Sequence, residues 1–194
     1  MRKEKKMNER ERQEQEITTI KEREIKINLS DADLKRLWEK SGSVGMTAGE
    51  LLASFVGDLV CGTYTNGSDE RMYAEQWFER CGFAMFPEKT FLRYLIEWGE
   101  LESVLSDEKN IIQGKDDLAE LEAKPDKDGY DQEELEYLKE DISGWQESID
   151  KVFSDFVEWC RGDSHGSYEE EMKKVRTWYN DMQGVRKGNE DDIL

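Results

Sequence analysis

Between Asp131 and Trp159 the apolar residues Leu135, Leu138, Ile142, Trp145, Ile149, Val152, Phe156 and Trp159 step alternately by three and four. This is a heptad seam held over more than three heptads, and only a long helix keeps such a seam on one side. At about 1.5 Å per residue, residues 131 to 161 span about 46 Å. A seam of that length must be covered by something. The strongest breaker in the chain, Lys124-Pro125-Asp126-Lys127-Asp128-Gly129, lies just before it. Ahead of the breaker a second helical pattern starts at Pro87, where a first-turn proline is tolerated, and runs through Phe91, Leu95, Trp98, Leu101, Leu105 and Ile112 toward Leu118 and Leu121. Gly99 and Gly114 are its weak points. Two long helices joined by a short turn run antiparallel, so residues 87–161 read as a helical hairpin.

The hairpin is where the charge sits. The 194-residue chain carries a net charge of −18, and residues 101 to 160 hold nineteen acidic and six basic groups, whereas residues 1 to 30 hold seven and nine. A field of one sign on this scale repels nucleic acid and anionic membrane and attracts basic surfaces such as nucleic-acid-binding clefts. A solvated helix face that serves solubility is the competing explanation. The candidate contact surface comprises Asp116, Asp117, Glu120, Glu133, Glu134, Glu140 and Asp141. Charged residues make up 38% and hydrophobic ones 36%, a balance that favours exposed helices over a sphere. No apolar run approaches the roughly 20 residues of a membrane helix, and no apolar signal core follows the charged start, so a cytosolic protein is expected.

The front of the chain is different. Residues 1–23 alternate in sign with little apolar content and read as a charged flexible arm or frayed helix. Glu24-Ile25-Lys26-Ile27-Asn28-Leu29 alternates with period 2 and is rich in β-branched residues, which predicts one short strand with Ile25, Ile27 and Leu29 on one face. A lone strand needs a partner for its backbone groups, and the same strand of a second copy is the economical one. Ser30 caps a helix bearing Leu34, Leu37 and Trp38, which ends at Gly42 and Gly45. Thr47-Ala48-Gly49-Glu50 is a capping box opening a second helix with Leu51, Leu52, Phe55, Val56, Leu59 and Val60. Ser68 opens a third helix through Cys81, with Met72, Trp77 and Phe78 as its expected buried side. After the hairpin, Ser167-Tyr168-Glu169-Glu170 caps a last helix that carries Met172, Val175, Trp178, Tyr179 and Met182 and ends near Gly184. The expected organisation is arm 1–23, strand and helices 24–86, acidic hairpin 87–161, C-terminal helix 162–185 and a disordered tail 186–194.

Chemistry finds few handholds. The one histidine, His165, sits in Gly162-Asp163-Ser164-His165-Gly166-Ser167, where aspartate, serine and histidine are neighbours in sequence, whereas a triad draws its members from separate elements. Cys61, Cys81 and Cys160 lie on predicted apolar faces with no C-x-x-C pair, and core packing is the expected role. Asp126, Asp128 and Asp131 surround Gly129, yet a calcium loop wants glycine at its sixth position and an oxygen ligand at its fifth; here glycine is fourth and Tyr130 fifth. No phosphate-binding or dinucleotide glycine pattern is present. The expectation is a non-enzymatic protein with no cofactor and no metal.

Two resemblances add to this. I-K-I-N-L-S at 25–30, the helix with Leu34 and Leu37, the turn Gly45-Met46-Thr47 and Glu50-Leu51-Leu52 together resemble a ribbon-helix-helix domain over about a fifth of the chain. That resemblance implies DNA contact by Lys26 and Asn28 from the strand, a phosphate near Thr47 at the opening of the second helix, and a homodimer. The string Val56-Gly57-Asp58-Leu59-Val60, Thr63 to Arg71 and Trp77-Phe78-Glu79-Arg80-Cys81 is similar to small proteins of Firmicutes plasmids, conjugative elements and phages, some of them anti-CRISPR proteins directed at type II-A Cas9. It implies an inhibitor whose acidic helices occupy a basic nucleic-acid-binding surface of Cas9. The alternative is a ribbon-helix-helix regulator or accessory protein of a mobile element that binds DNA through its N-terminal strand.

Overall fold

The structure, a computed structural model, describes residues 8–83 and 87–187, and these form eight helices and no strand. Two compact units are present, one of residues 1–87 with 183–194, the other of Glu88–Met182.

In the first unit, α1 (Glu9–Thr18) opens on a capping box in which the Asn8 side chain accepts from the Glu11 amide while Glu11 accepts from the Asn8 amide. Helix therefore forms within the segment read as a flexible arm or frayed helix. α2 (Asp31–Gly42) is capped by Ser30, α3 (Ala48–Leu59) by the Thr47 and Glu50 box, and α4 (Ser68–Arg80) follows a tight turn. That turn is held by Asp58, whose buried carboxylate accepts from the backbone amide and the side-chain amide of Asn66 at 2.8 and 2.7 Å. Gly57 is required beneath it, because a Cβ there would run into the Tyr64 carbonyl oxygen. Among the described residues of this unit, Ser41, Ala48, Asp58 and Ala74 are buried.

The expected strand is not formed. Residues 20–30 are irregular and fully solvent-facing, with Ile25, Ile27 and Leu29 exposed. Period-2 alternation makes a strand only where a second strand supplies hydrogen bonds, and no such partner exists among the described residues. Cys61 and Cys81, expected in a core, are exposed; both fall at helix ends, where the chain turns out to solvent.

The second unit has a true core. α5 (Phe91–Trp98) is short, α6 (Leu101–Glu122) and α7 (Gly129–Cys160) form the hairpin, and α8 (Tyr168–Lys187) follows. Phe91, Tyr94, Leu95, Val104, Phe156, Cys160, Met172 and Val175 are packed together, with Phe91 lying 5.1 Å from Phe156 and 5.2 Å from Phe153 between ring centroids. Each large side chain buried in this way contributes about 1.5–3 kcal/mol.

The long helix expected from Pro87 is broken at Gly99, whose φ of 73° is left-handed. The break resets the helical phase. Trp98 and Ile112, expected on the seam, are exposed, and the buried positions of α6 are Val104, Ile111, Gly114 and Leu121. Gly114 behaves oppositely to Gly99: it stays helical and buried because α7 lies against it, with Ile142 and Trp145 at 3.1 and 3.3 Å from where a Cβ would stand. The last helix runs past Gly184 to Lys187, so Arg186 and Lys187 of the expected tail are helical; the rest of that tail, 188–194, lies outside the described residues.

Candidate protein-binding surface on the acidic hairpin

The hairpin sorts its side chains by period. Val104, Ile111, Leu121, Ile149 and Phe156 point inward and are buried, while Leu135, Leu138, Ile142 and Trp145 are half-buried. All seven candidate carboxylates face solvent: Asp116, Asp117 and Glu120 on α6, Glu133, Glu134, Glu140 and Asp141 on α7. Asp117 accepts a hydrogen bond from the Gln113 amide at 2.8 Å. None of the seven is paired with a lysine or arginine among the described residues.

Three of the six lysines of residues 101–160 are spent at the hairpin tip. Lys124 bonds Asp131 at 2.8 Å, Lys139 lies 3.3 Å from Glu122, and Lys127 donates to the carbonyls of Glu122 and Lys124 at the C-terminal end of α6. A cation there offsets the negative end of the helix dipole. Asp128 and Asp131 close the turn from the other side as the capping box of α7. The Lys124 hydrogen bond, then the Asp128 amide, hold the Asp131 carboxyl below the usual aspartate range. These contacts explain Asp128 and Asp131 as turn closure. Among the described residues no group of three or more His, Cys, Asp or Glu is arranged to hold a metal ion, and no helix is long and apolar enough to cross a membrane.

Residues 88–182 carry a net charge of −15, against −2 for residues 1–87. Within the second unit two acidic groups have structural work that sequence reasoning missed. Glu108 on α6 accepts from Nη2 and Nε along one edge of the Arg176 guanidinium, at 2.9 and 3.1 Å, and from the Tyr168 hydroxyl at 2.9 Å, which ties α8 to the hairpin. Burial, then the Glu108 charge, pushes the Tyr168 hydroxyl far above its ordinary range, and the Glu108 hydrogen bond raises Arg176. Glu171 is buried and accepts from the Phe91 amide, the first of α5, at 3.1 Å and from Lys174 at 2.6 Å. Burial pushes its carboxyl up, but Lys174 and the backbone amides of Phe91 and Gly166 outweigh burial and leave it lowered. Nothing in the spacing of these residues marks them, since Tyr168 and Arg176 lie 60 and 68 positions from Glu108, and Phe91 lies 80 from Glu171.

The residues proposed for DNA contact are not gathered. Lys26 and Asn28 lie in the irregular stretch before α2, exposed. Thr47 caps α3, with its amide and its hydroxyl both donating to Glu50 at 2.7 and 2.9 Å. The Thr47 amide and hydroxyl lower the Glu50 carboxyl below the usual range, which fixes a negative charge at this helix opening. His165 is exposed at the edge of Phe153 and Phe156 with Nδ1 2.9 Å from the Gly166 carbonyl, remote in kind from a proton-transfer pair. Cys160 is buried, and burial pushes its thiol up, away from nucleophilic chemistry. Comparison with known protein families, with curated proteins and with solved structures finds no match.

Proposed function

We propose that this chain is a non-enzymatic binding protein whose acidic hairpin occupies a basic surface of a nucleic-acid-binding protein, in the manner of an anti-CRISPR protein acting on Cas9. The observation that carries the reading is the set of seven solvent-facing carboxylates on α6 and α7 with no lysine or arginine in salt-bridge contact among the described residues. At the hairpin tip Glu122, Asp128 and Asp131 are held by turn lysines and the α7 cap, whereas these seven carry no such partner among the described residues. A rigid two-helix scaffold holds them at little entropic cost, which favours a contact made by carboxylates and steered by the field of the whole unit. Cas9 is the candidate named by the similarity of Val56 to Cys81, and its guide and target channels are basic. The DNA-reading alternative rests on a strand at Ile25 to Leu29 paired between two copies, and in the single chain this segment is irregular.

The test is capture of Cas9 from solution by the immobilised full chain, with and without guide RNA, over a range of salt. Binding is expected to weaken steeply as ionic strength rises, since the Debye length falls from about 10 Å at 0.1 M to about 3 Å at 1 M. Replacing the seven carboxylates with their amides should lower affinity by roughly 10-fold or more. Capture that survives both the amide variant and high salt would rule out a charge-led contact, and no capture at low salt would remove Cas9 as the partner.

A further inference from the structure

Phe55, Trp77, Phe78 and Phe83 form one connected ring cluster on the first unit. Phe55 meets Trp77 edge to face at 5.6 Å, Trp77 meets Phe83 at 5.9 Å, and Phe78 meets Phe83 at 5.4 Å. In the second unit a comparable cluster closes around Phe91 and Phe156, both at 0% exposure, but here the four rings keep 42%, 45%, 42% and 58% of their surface open. Leu52 lies one turn before Phe55 and one turn before Val56, and Tyr73 lies one turn before Trp77, all exposed.

We propose that this aromatic patch is the interface of a homodimer, α3 and α4 of one copy packing on α3 and α4 of the other. The area is adequate. An aromatic side chain can bury about 150–250 Å², so four half-open rings and their three neighbours offer on the order of 600–700 Å², within reach of the ~800 Å² per partner of a standard interface. The occupant follows from two observations. Among the described residues of the first unit the buried hydrophobic ones are Ala48 and Ala74, so the core they form is slight. A cover on which folding itself depends must be present at equal amount wherever the chain is made, and a second copy meets that condition. The charge also points there: residues 88–182 carry −15 and repel their like, whereas residues 1–87 carry −2. Two copies therefore meet at least electrostatic cost through their first units. This surface lies on α3, α4 and Phe83, apart from the segment of Ile25 to Leu29.

Sedimentation of the full chain tests it. A species of twice the 22.8 kDa chain mass is expected at about 10 µM. Trp77→Glu should raise the dissociation constant at least about 10-fold, while Trp98→Glu, which changes an exposed ring of the second unit, should leave it unchanged. Because Trp77→Glu could also unfold the first unit, hydrogen exchange on the unaltered chain gives a second readout, with α3 and α4 amides slowing as concentration rises and α7 amides indifferent to it. Single-chain mass up to about 100 µM overturns the proposal, as does a dimer that tolerates Trp77→Glu or a dimer whose concentration-dependent protection falls on α6 and α7.

Discussion

The two units of this chain use amphipathic helices to opposite ends. In residues 88–182 the apolar stripe of α7 finds its cover inside the chain, from α6 and from the Phe91 and Met172 cluster, and large side chains vanish from solvent. In residues 8–83 the apolar stripes of α2, α3 and α4 remain half open, and alanines are the hydrophobic residues that become buried. The lesson is that periodicity specifies a face and not its partner. A long seam next to a tight turn meets its partner at once, while three short helices of twelve or thirteen residues enclose little volume.

The sharpest way to break the contrast is a matched pair of truncations. Phe156→Ala should cost about 3–5 kcal/mol in urea unfolding of the second unit, whereas Leu34→Ala, at a side chain 44% exposed, should cost under about 1 kcal/mol. Equal losses would mean that the first unit has a core after all. Next in size is the buried acid. Glu171→Gln should destabilise the second unit by about 1–3 kcal/mol near neutral pH, because it weakens hydrogen bonds to a charged group. Its folded pKa is lowered from 4.5, so the stabilisation is complete above that value and is lost as pH falls through the lower folded value. Wild type and variant should converge in acid, and a gap that persists at low pH would assign the effect to packing.

Two glycines sharpen the same comparison within the hairpin. Gly114→Val forces methyl groups against Ile142 and Trp145 and should lower hairpin stability by about 1–3 kcal/mol. Gly144, on the exposed side of α7, has nothing within 4 Å of a built Cβ. Gly144→Ala should raise the melting temperature modestly, by the ~0.5–1 kcal/mol of helix propensity. If both substitutions stabilised, α6 and α7 would not be in close approach at Gly114.

Much of this was open to reading from the residues in order. The seam from Leu135 to Trp159, the turn at Lys124 to Gly129 and the caps at Ser30, Thr47 and Ser167 are local signals, and local hydrogen bonds satisfy them. The position of the seven carboxylates on the outer faces followed from the same period. Less was open where the outcome depends on a distant neighbour. Gly99 and Gly114 are the same residue in the same pattern, yet one ends a helix and the other seats a helix crossing. Missing the break at Gly99 put Ile112 on a seam that it does not occupy.

By itself the sequence determined the helical character, the hairpin and where the acidity lies, since periodicity, caps and charge act over a few residues. Tertiary structure alone decided that Glu108 and Glu171 become structural anions, that Ile25 to Leu29 stays unpaired and that the rings around Trp77 stay open. Each of those outcomes turns on whether a distant group arrives to accept a hydrogen bond or exclude water, and spacing along a chain carries no record of that.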